Sequence, residues 1–118
     1  MHSKFKIIKY AGIILIIIIG VVHLLDAKDS FNDAAYKGCL FIANGVGSFL
    51  AAFFIYRGNK WGWDMGFLIA VASFGGYIAS RTIGLPFIPA EPGAWFEPLG
   101  VVAMAAEAAF ITLRITFK

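Results

Sequence analysis

The sequence predicts an all-α fold: an integral membrane four-helix bundle with short loops. Three observations lead there. Of 118 residues, 60% are hydrophobic and only 14% charged; four apolar runs each reach the length of about 20 residues that a bilayer crossing needs; and the joints between them are short and rich in turn-forming residues. A water-soluble domain of this size cannot hide so much apolar surface, because small domains bury only about 60–70% of what the unfolded chain exposes. Twelve Phe, four Tyr and three Trp argue against disorder, and a single cysteine rules out a disulfide scaffold.

The first run covers about 7–25. Its basic start and isoleucine-rich middle are shared with signal peptides. Leu24, Leu25 and Asp26 ahead of Ala27 offer no small-x-small cleavage site, so a retained helix is expected. Its isoleucines, Ile16 to Ile19, read as lipid-facing. The joint Asp26 to Asp33 leads to the second run, about 35–56, with Ala43, Gly47 and Ala51 at four-residue spacing. After Arg57 to Lys60 comes the third run, about 62–83, with Ala72, Gly76 and Ser80; the fourth, about 99–117, has Gly100, Ala103 and Ala106. Lipid tails are as apolar as leucine, so such small-residue rows are where helices approach one another.

All four prolines fall between Gly84 and Pro98, in a segment reading GLPFIPAEPGAWFEP that is too apolar for a solvated linker. It is expected to fold back over the bundle's outer mouth or to lie in the membrane interface. No span leaves room for a soluble domain, so residues 1–118 read as one transmembrane domain.

Lys and Arg flanking the spans set orientation. Lys4, Lys6, Lys9, Arg57, Lys60, Arg114 and Lys118 collect on one side, against Lys28, Lys37 and Arg81 on the other. Both termini are therefore expected in the cytoplasm, with the chain in the cell membrane. Asp26, Asp29, Asp33, Glu91 and Glu97 fall outside, and the net charge of +3 reflects topology. No basic stripe interleaved with aromatics argues for nucleic acid.

Ionisable groups inside spans are costly, and each is a site candidate. An outer layer holds His23 and Asp26, one turn apart, with Arg81 and Glu97. Arg81 is a natural fork-like partner for Glu97 or Asp26, either as a clamp across the helix ends or as part of a polar pocket. A deeper layer holds Glu107, ten residues beyond Glu97 and so about 15 Å further in, near the midplane. Asn44 lies at matching depth in the second span, with Ser48 one turn on. An Asn44–Glu107 hydrogen bond would satisfy both, as structural glue or as part of a proton-linked site.

No cofactor is implied. A bis-histidine haem needs a second ligand that only a dimer would add to His23. Cys39 has no partner for thiol–disulfide chemistry, and His23, Asp26 and an outer carboxylate have metal-ligand chemistry without diagnostic spacing. No nucleophile–base pair and no phosphate-binding glycine loop is present.

Several segments together carry a resemblance: His23-Leu24 before an acidic joint, Tyr36-x-Gly38-x-Leu40-Phe41 with Asn44, Gly76-Tyr77-x-x-Ser80-Arg81-Thr82-x-Gly84-Leu85-Pro86, and Glu97-Pro98-Leu99-Gly100 with Glu107. The chain resembles, over nearly its whole length, a group of small four-helix prokaryotic membrane proteins. The resemblance implies the topology and the residue set, and no activity.

Three functional readings remain open. The first is a non-catalytic accessory or assembly subunit, with other membrane subunits or further copies of itself as partners beside the lipid bilayer. The second is an oligomeric ligand-binding or transport module using the outer His23, Asp26, Arg81 and Glu97 layer and the mid-membrane Glu107. The third is a membrane redox or metal-dependent enzyme subunit.

Overall fold

The computed structural model describes residues 2–117; Lys118, counted above among the basic flanking residues, lies outside them. The described chain is all-α. In order come α1 (His2–Leu25), α2 (Ala27–Asp33), α3 (Ala35–Tyr56), α4 (Lys60–Thr82), a 3-10 turn (Pro92–Ala94) and α5 (Pro98–Thr116). Four of these, α1, α3, α4 and α5, are long and apolar enough to cross a membrane.

Local chemistry explains the ends. Asp26 leaves helical geometry (φ −93°, ψ 0°), yet its N–H still bonds the Val22 carbonyl at 3.0 Å. The joint Asp26 to Asp33 is therefore mostly helical: α2 nearly continues α1 and lays Phe31 over Gly38 of α3. Extended backbone at Ala34 separates α2 from α3. Between α3 and α4, Gly58 takes φ +78°, and the Asn59 side chain accepts the Trp61 N–H at 2.9 Å as an N-cap. Gly84, at φ +87°, ends α4 by returning its N–H to Ala79 at 2.8 Å. Pro98 opens α5, where its missing N–H costs nothing.

The four long helices form an antiparallel bundle, 48 × 22 × 20 Å overall, in which α1 and α4 each pack between α3 and α5 and stand diagonally opposed. One end carries the start of α1, the end of α5 and the α3–α4 turn, and is called the terminal end below. The other carries α2 and the segment between α4 and α5, and is the loop end.

Ile16, Ile19, Ala51, Ile55, Ala70 and Phe110 are fully or almost fully buried at the centre. This corrects the expectation that Ile16 to Ile19 face lipid: Ile16 and Ile19, three residues apart on one face of α1, lie in the core, and Ile17 and Ile18 are only partly buried. Gly62 of α4 sits directly against the backbone of Ala51 and Ile55, and Gly66 leaves the space that the Phe110 ring enters. Phe110 stacks on Trp63 with ring centres 5.3 Å apart. The outer surface is equally apolar, with Leu40, Val46, Leu50, Phe53, Leu68 and Ile78 exposed.

Candidate functional site

Two polar layers lie inside or just above this apolar frame. The deeper one is built by α1, α3 and α5. Antiparallel packing of α1 and α5 brings Glu107, about one turn before the core residue Phe110, to face His23, about two turns after the core residue Ile16. His23 Nε2 and Glu107 Oε2 stand 3.9 Å apart, and Glu107 is only 1% exposed. The expected assignment of His23 to the outer layer is thus corrected. His23 belongs with Glu107, and its ring lies 4.9 Å from that of Phe41.

The imidazole's tautomer follows from its other contact. His23 Nδ1 is 2.8 Å from the Ile19 carbonyl, which only accepts, so Nδ1 carries a hydrogen. Nε2 then faces Glu107 either as a lone pair opposite a protonated carboxyl or as N–H opposite a carboxylate. In both arrangements the pair is neutral overall, and at 3.9 Å the two groups lie within ion-pair range without a direct hydrogen bond. Glu107 Oε1 is buried with no hydrogen-bond partner among the described residues.

Asn44 does not reach Glu107. Its amide donates to Ser73 Oγ of α4 at 2.6 Å, and its carbonyl accepts from Ser48 Oγ at 3.2 Å. The expected Asn44–Glu107 bond is replaced because Asn44 points across the α3–α4 seam while Glu107 points toward α1.

The upper layer is a clasp on the segment between α4 and α5. Arg81 Nε and Nη2 each donate to the Ala94 carbonyl at 3.2 Å, and Nη1 donates to Ser80 Oγ at 2.7 Å. Its guanidinium lies 3.8 Å from the centre of the Tyr77 ring. The Tyr77 hydroxyl donates to the Trp95 carbonyl at 2.7 Å, and the Tyr36 hydroxyl donates to that of Pro86. Glu97 contributes one longer contact, Arg81 Nη2 to Oε1 at 3.3 Å, from a side chain 60% exposed. Arg81 is therefore held mainly by the Ala94 carbonyl and the Ser80 hydroxyl.

Asp26 makes no ion pair among the described residues. Burial pushes its carboxyl above the ordinary carboxylate range, neighbouring Asp29 adds to this, and Lys37 partly offsets it.

At the terminal end, Arg114 bonds Asp64 at 2.7 Å across α4 and α5, a pair that sequence reading missed although both residues flank their spans at matching depth. Clefts of about 360 and 320 Å³ open at this end, lined by Lys4, Ile8, Lys60, Trp63, Arg114 and Phe117 among others. Neither is lined by His23 or Glu107. Among the described residues no three His, Cys, Asp or Glu side chains converge as a metal site, and Cys39 is exposed.

Length, apolarity and outward-facing side chains make this the pattern of a multi-pass membrane protein whose interior holds the ionisable pair His23 and Glu107. Comparison with protein-family models, with curated proteins and with solved structures finds no match to the chain.

Proposed function

We propose that the chain is a small polytopic protein of the cell membrane, with both termini cytoplasmic, that serves as a non-catalytic accessory or assembly subunit. The excess of Lys and Arg at the terminal end supports the orientation. One observation carries the assembly reading. Of the ten glycines in the long helices, eight face a neighbouring helix closely enough that a Cβ would touch it. Gly75 and Gly76 of α4 face nothing.

Glycine inside a helix costs about 1 kcal/mol relative to alanine, and within this bundle the other eight recover it by close approach. With Ala72 and Ala79, Gly75 and Gly76 make a small-residue face on α4 that suits a helix from another subunit or a second copy. The test is purification in mild detergent of the parent and of a Gly75→Leu/Gly76→Leu variant. The expected result is a co-migrating partner chain or second copy that the variant loses while its own thermal unfolding is not lowered. Migration of the parent as a lone monomer, with every membrane complex intact after deletion, sinks the reading.

A second reading, an oligomeric proton-linked transport module, draws support from the buried Glu107 Oε1 beside His23. It requires proton flux into reconstituted vesicles that Glu107→Gln abolishes. An absence of flux in the parent, or flux unchanged in the variant, removes it.

A further inference from the structure

The segment between α4 and α5 contains a backbone feature that neither the bundle nor the polar layers explain. Leu85, Pro86, Phe87 and Ile88 form a tight turn closed by two reciprocal bonds, Leu85 N–H to the Ile88 carbonyl at 3.0 Å and Ile88 N–H to that of Leu85 at 2.9 Å. Proline stands second. Phe87 stands third, at φ +63°, where such turns ordinarily use Gly or Asn because a bulky side chain is strained there. Its side chain gains nothing from the protein in return, being 98% exposed. Ile83 and Phe96, at the two ends of the same segment, are almost as bare.

Two further observations identify what such a tip meets. The first is position: Ile83 is the residue after α4 and Phe96 lies two before α5, so the apolar group sits at the ends of two candidate spans. The second is the state of the backbone. Irregular backbone is tolerated beside lipid only when its polar groups are satisfied within the protein. Here Gly84, Leu85, Ile88 and Glu91 spend their N–H groups on Ala79, Ile88, Leu85 and Ser80, while Pro86, Pro89 and Pro92 have none to spend. The carbonyls of Pro86, Ala94 and Trp95 are taken by Tyr36, Arg81 and Tyr77. The Phe87 and Ala90 N–H groups make no bond among the described residues, which suits a tip at the hydrated headgroup–acyl boundary rather than in the hydrocarbon core.

We propose that the Leu85–Ile88 tip, with Phe87 at its point and Ile83 and Phe96 beside it, inserts into the headgroup–acyl boundary of the bilayer as an anchor for the loop end. The strained turn aims Phe87 away from the bundle, and the Tyr36, Tyr77 and Arg81 contacts hold the segment rigid so that little conformational freedom is lost on insertion.

The proposal rests on reading the long helices as spans, and the test separates the two. Single nitroxide labels at Phe87→Cys, Glu91→Cys and Leu68→Cys, each with Cys39→Ser, are placed in vesicles of phosphatidylethanolamine and phosphatidylglycerol. Collision with oxygen, which prefers lipid, is compared with collision with a water-soluble nickel chelate. Residue 87 is expected to favour oxygen, as residue 68 does on exposed α4, and residue 91 to favour the chelate. Chelate access at 87 equal to that at 91 overturns the anchor but leaves the spans intact. Chelate access at 68 overturns the spans themselves. A label at 87 that meets neither reagent is buried against protein, which also overturns the anchor. In a parallel measurement, Phe87→Asn in detergent should unfold at the same temperature or higher, since asparagine tolerates this backbone; a lower unfolding temperature overturns the assignment of strain.

Discussion

His23 and Glu107, on antiparallel α1 and α5, face each other at 3.9 Å in the bundle interior, and the Ile19 carbonyl fixes which imidazole nitrogen carries a hydrogen. A carboxyl group in apolar surroundings is expensive when charged and unpaired. A pair that is neutral overall needs no third charged group, and on its other side the His23 ring packs against Phe41 with ring centres 4.9 Å apart.

The tautomer is directly observable. Nitrogen NMR of the protein in micelles should find neutral His23 with its hydrogen on Nδ1, because a backbone carbonyl cannot donate. Assignment of the hydrogen to Nε2 in the neutral form would contradict the Ile19 contact.

Substitutions at the pair should separate charge from packing. Glu107→Gln keeps the volume and removes the ionisable proton, so its cost is expected to stay below about 1 kcal/mol. His23→Ala removes the ring packed on Phe41, leaves a void and strands the carboxyl, at a cost of about 2–4 kcal/mol. Unfolding in mild detergent measures both. A Gln variant as damaged as the Ala variant would mean that the negative charge itself is required.

At the loop end, Arg81→Ala and Arg81→Lys should both loosen the segment between α4 and α5, since lysine cannot bond Ala94 and Ser80 with a planar fork. Glu97→Gln should have little effect because its contact is long and exposed, worth about 0–1 kcal/mol. Limited proteolysis across 84–97 gives the readout. Equal sensitivity in the Arg81 and Glu97 variants would make the ion pair, rather than the carbonyl clasp, the fastening.

These particulars also explain which parts of the structure could be read from sequence. Apolar runs and turn residues give the four long helices, since both signals are local. The partners of His23 and Asn44 were not legible, because depth was measured from the ends of apolar runs. The true register between α1 and α5 comes from Phe110 entering the gap at Gly66 beside Ile16, a contact between three helices that no local signal encodes. Helical continuation through α2 then carries the loop end well past His23, leaving it deep. Phe87 was hidden for the opposite reason: its backbone angle contradicts its residue type.

Asp26 provides a pH test. Its folded-state pKa lies above the unfolded value, so protonation favours the folded chain. The favourable contribution is complete below the ordinary value of 3.8 and is lost as pH rises through the raised folded value. Asp26→Asn should therefore raise the unfolding temperature at neutral pH, and the gain should vanish as pH falls below 3.8. No cap is lost in the exchange, because the Asp26 side chain makes no capping bond to α2. A gain independent of pH would remove the carboxyl's charge as its cause.

Glycines of α4 should divide into two sharply different groups. A Cβ on Gly62 would stand 2.5 Å from the Ile55 nitrogen and 2.7 Å from the Ala51 carbonyl oxygen, and backbone cannot move aside as a side chain can. Gly62→Ala must push α3 and α4 apart, at a cost of about 1–3 kcal/mol or more. A Cβ on Gly75 meets nothing within 4 Å, so Gly75→Ala should stabilise the isolated chain through helix propensity by up to about 1 kcal/mol. The same Gly75→Ala substitution should weaken any assembly formed through the exposed face of α4, because an added methyl holds the partner backbone away. Unfolding of the monomer in detergent and the co-migrating fraction in mild detergent should thus move in opposite directions for Gly75→Ala and fall together for Gly62→Ala. A Gly75→Ala variant that gains stability and keeps its assembly unchanged would exclude that face as the contact.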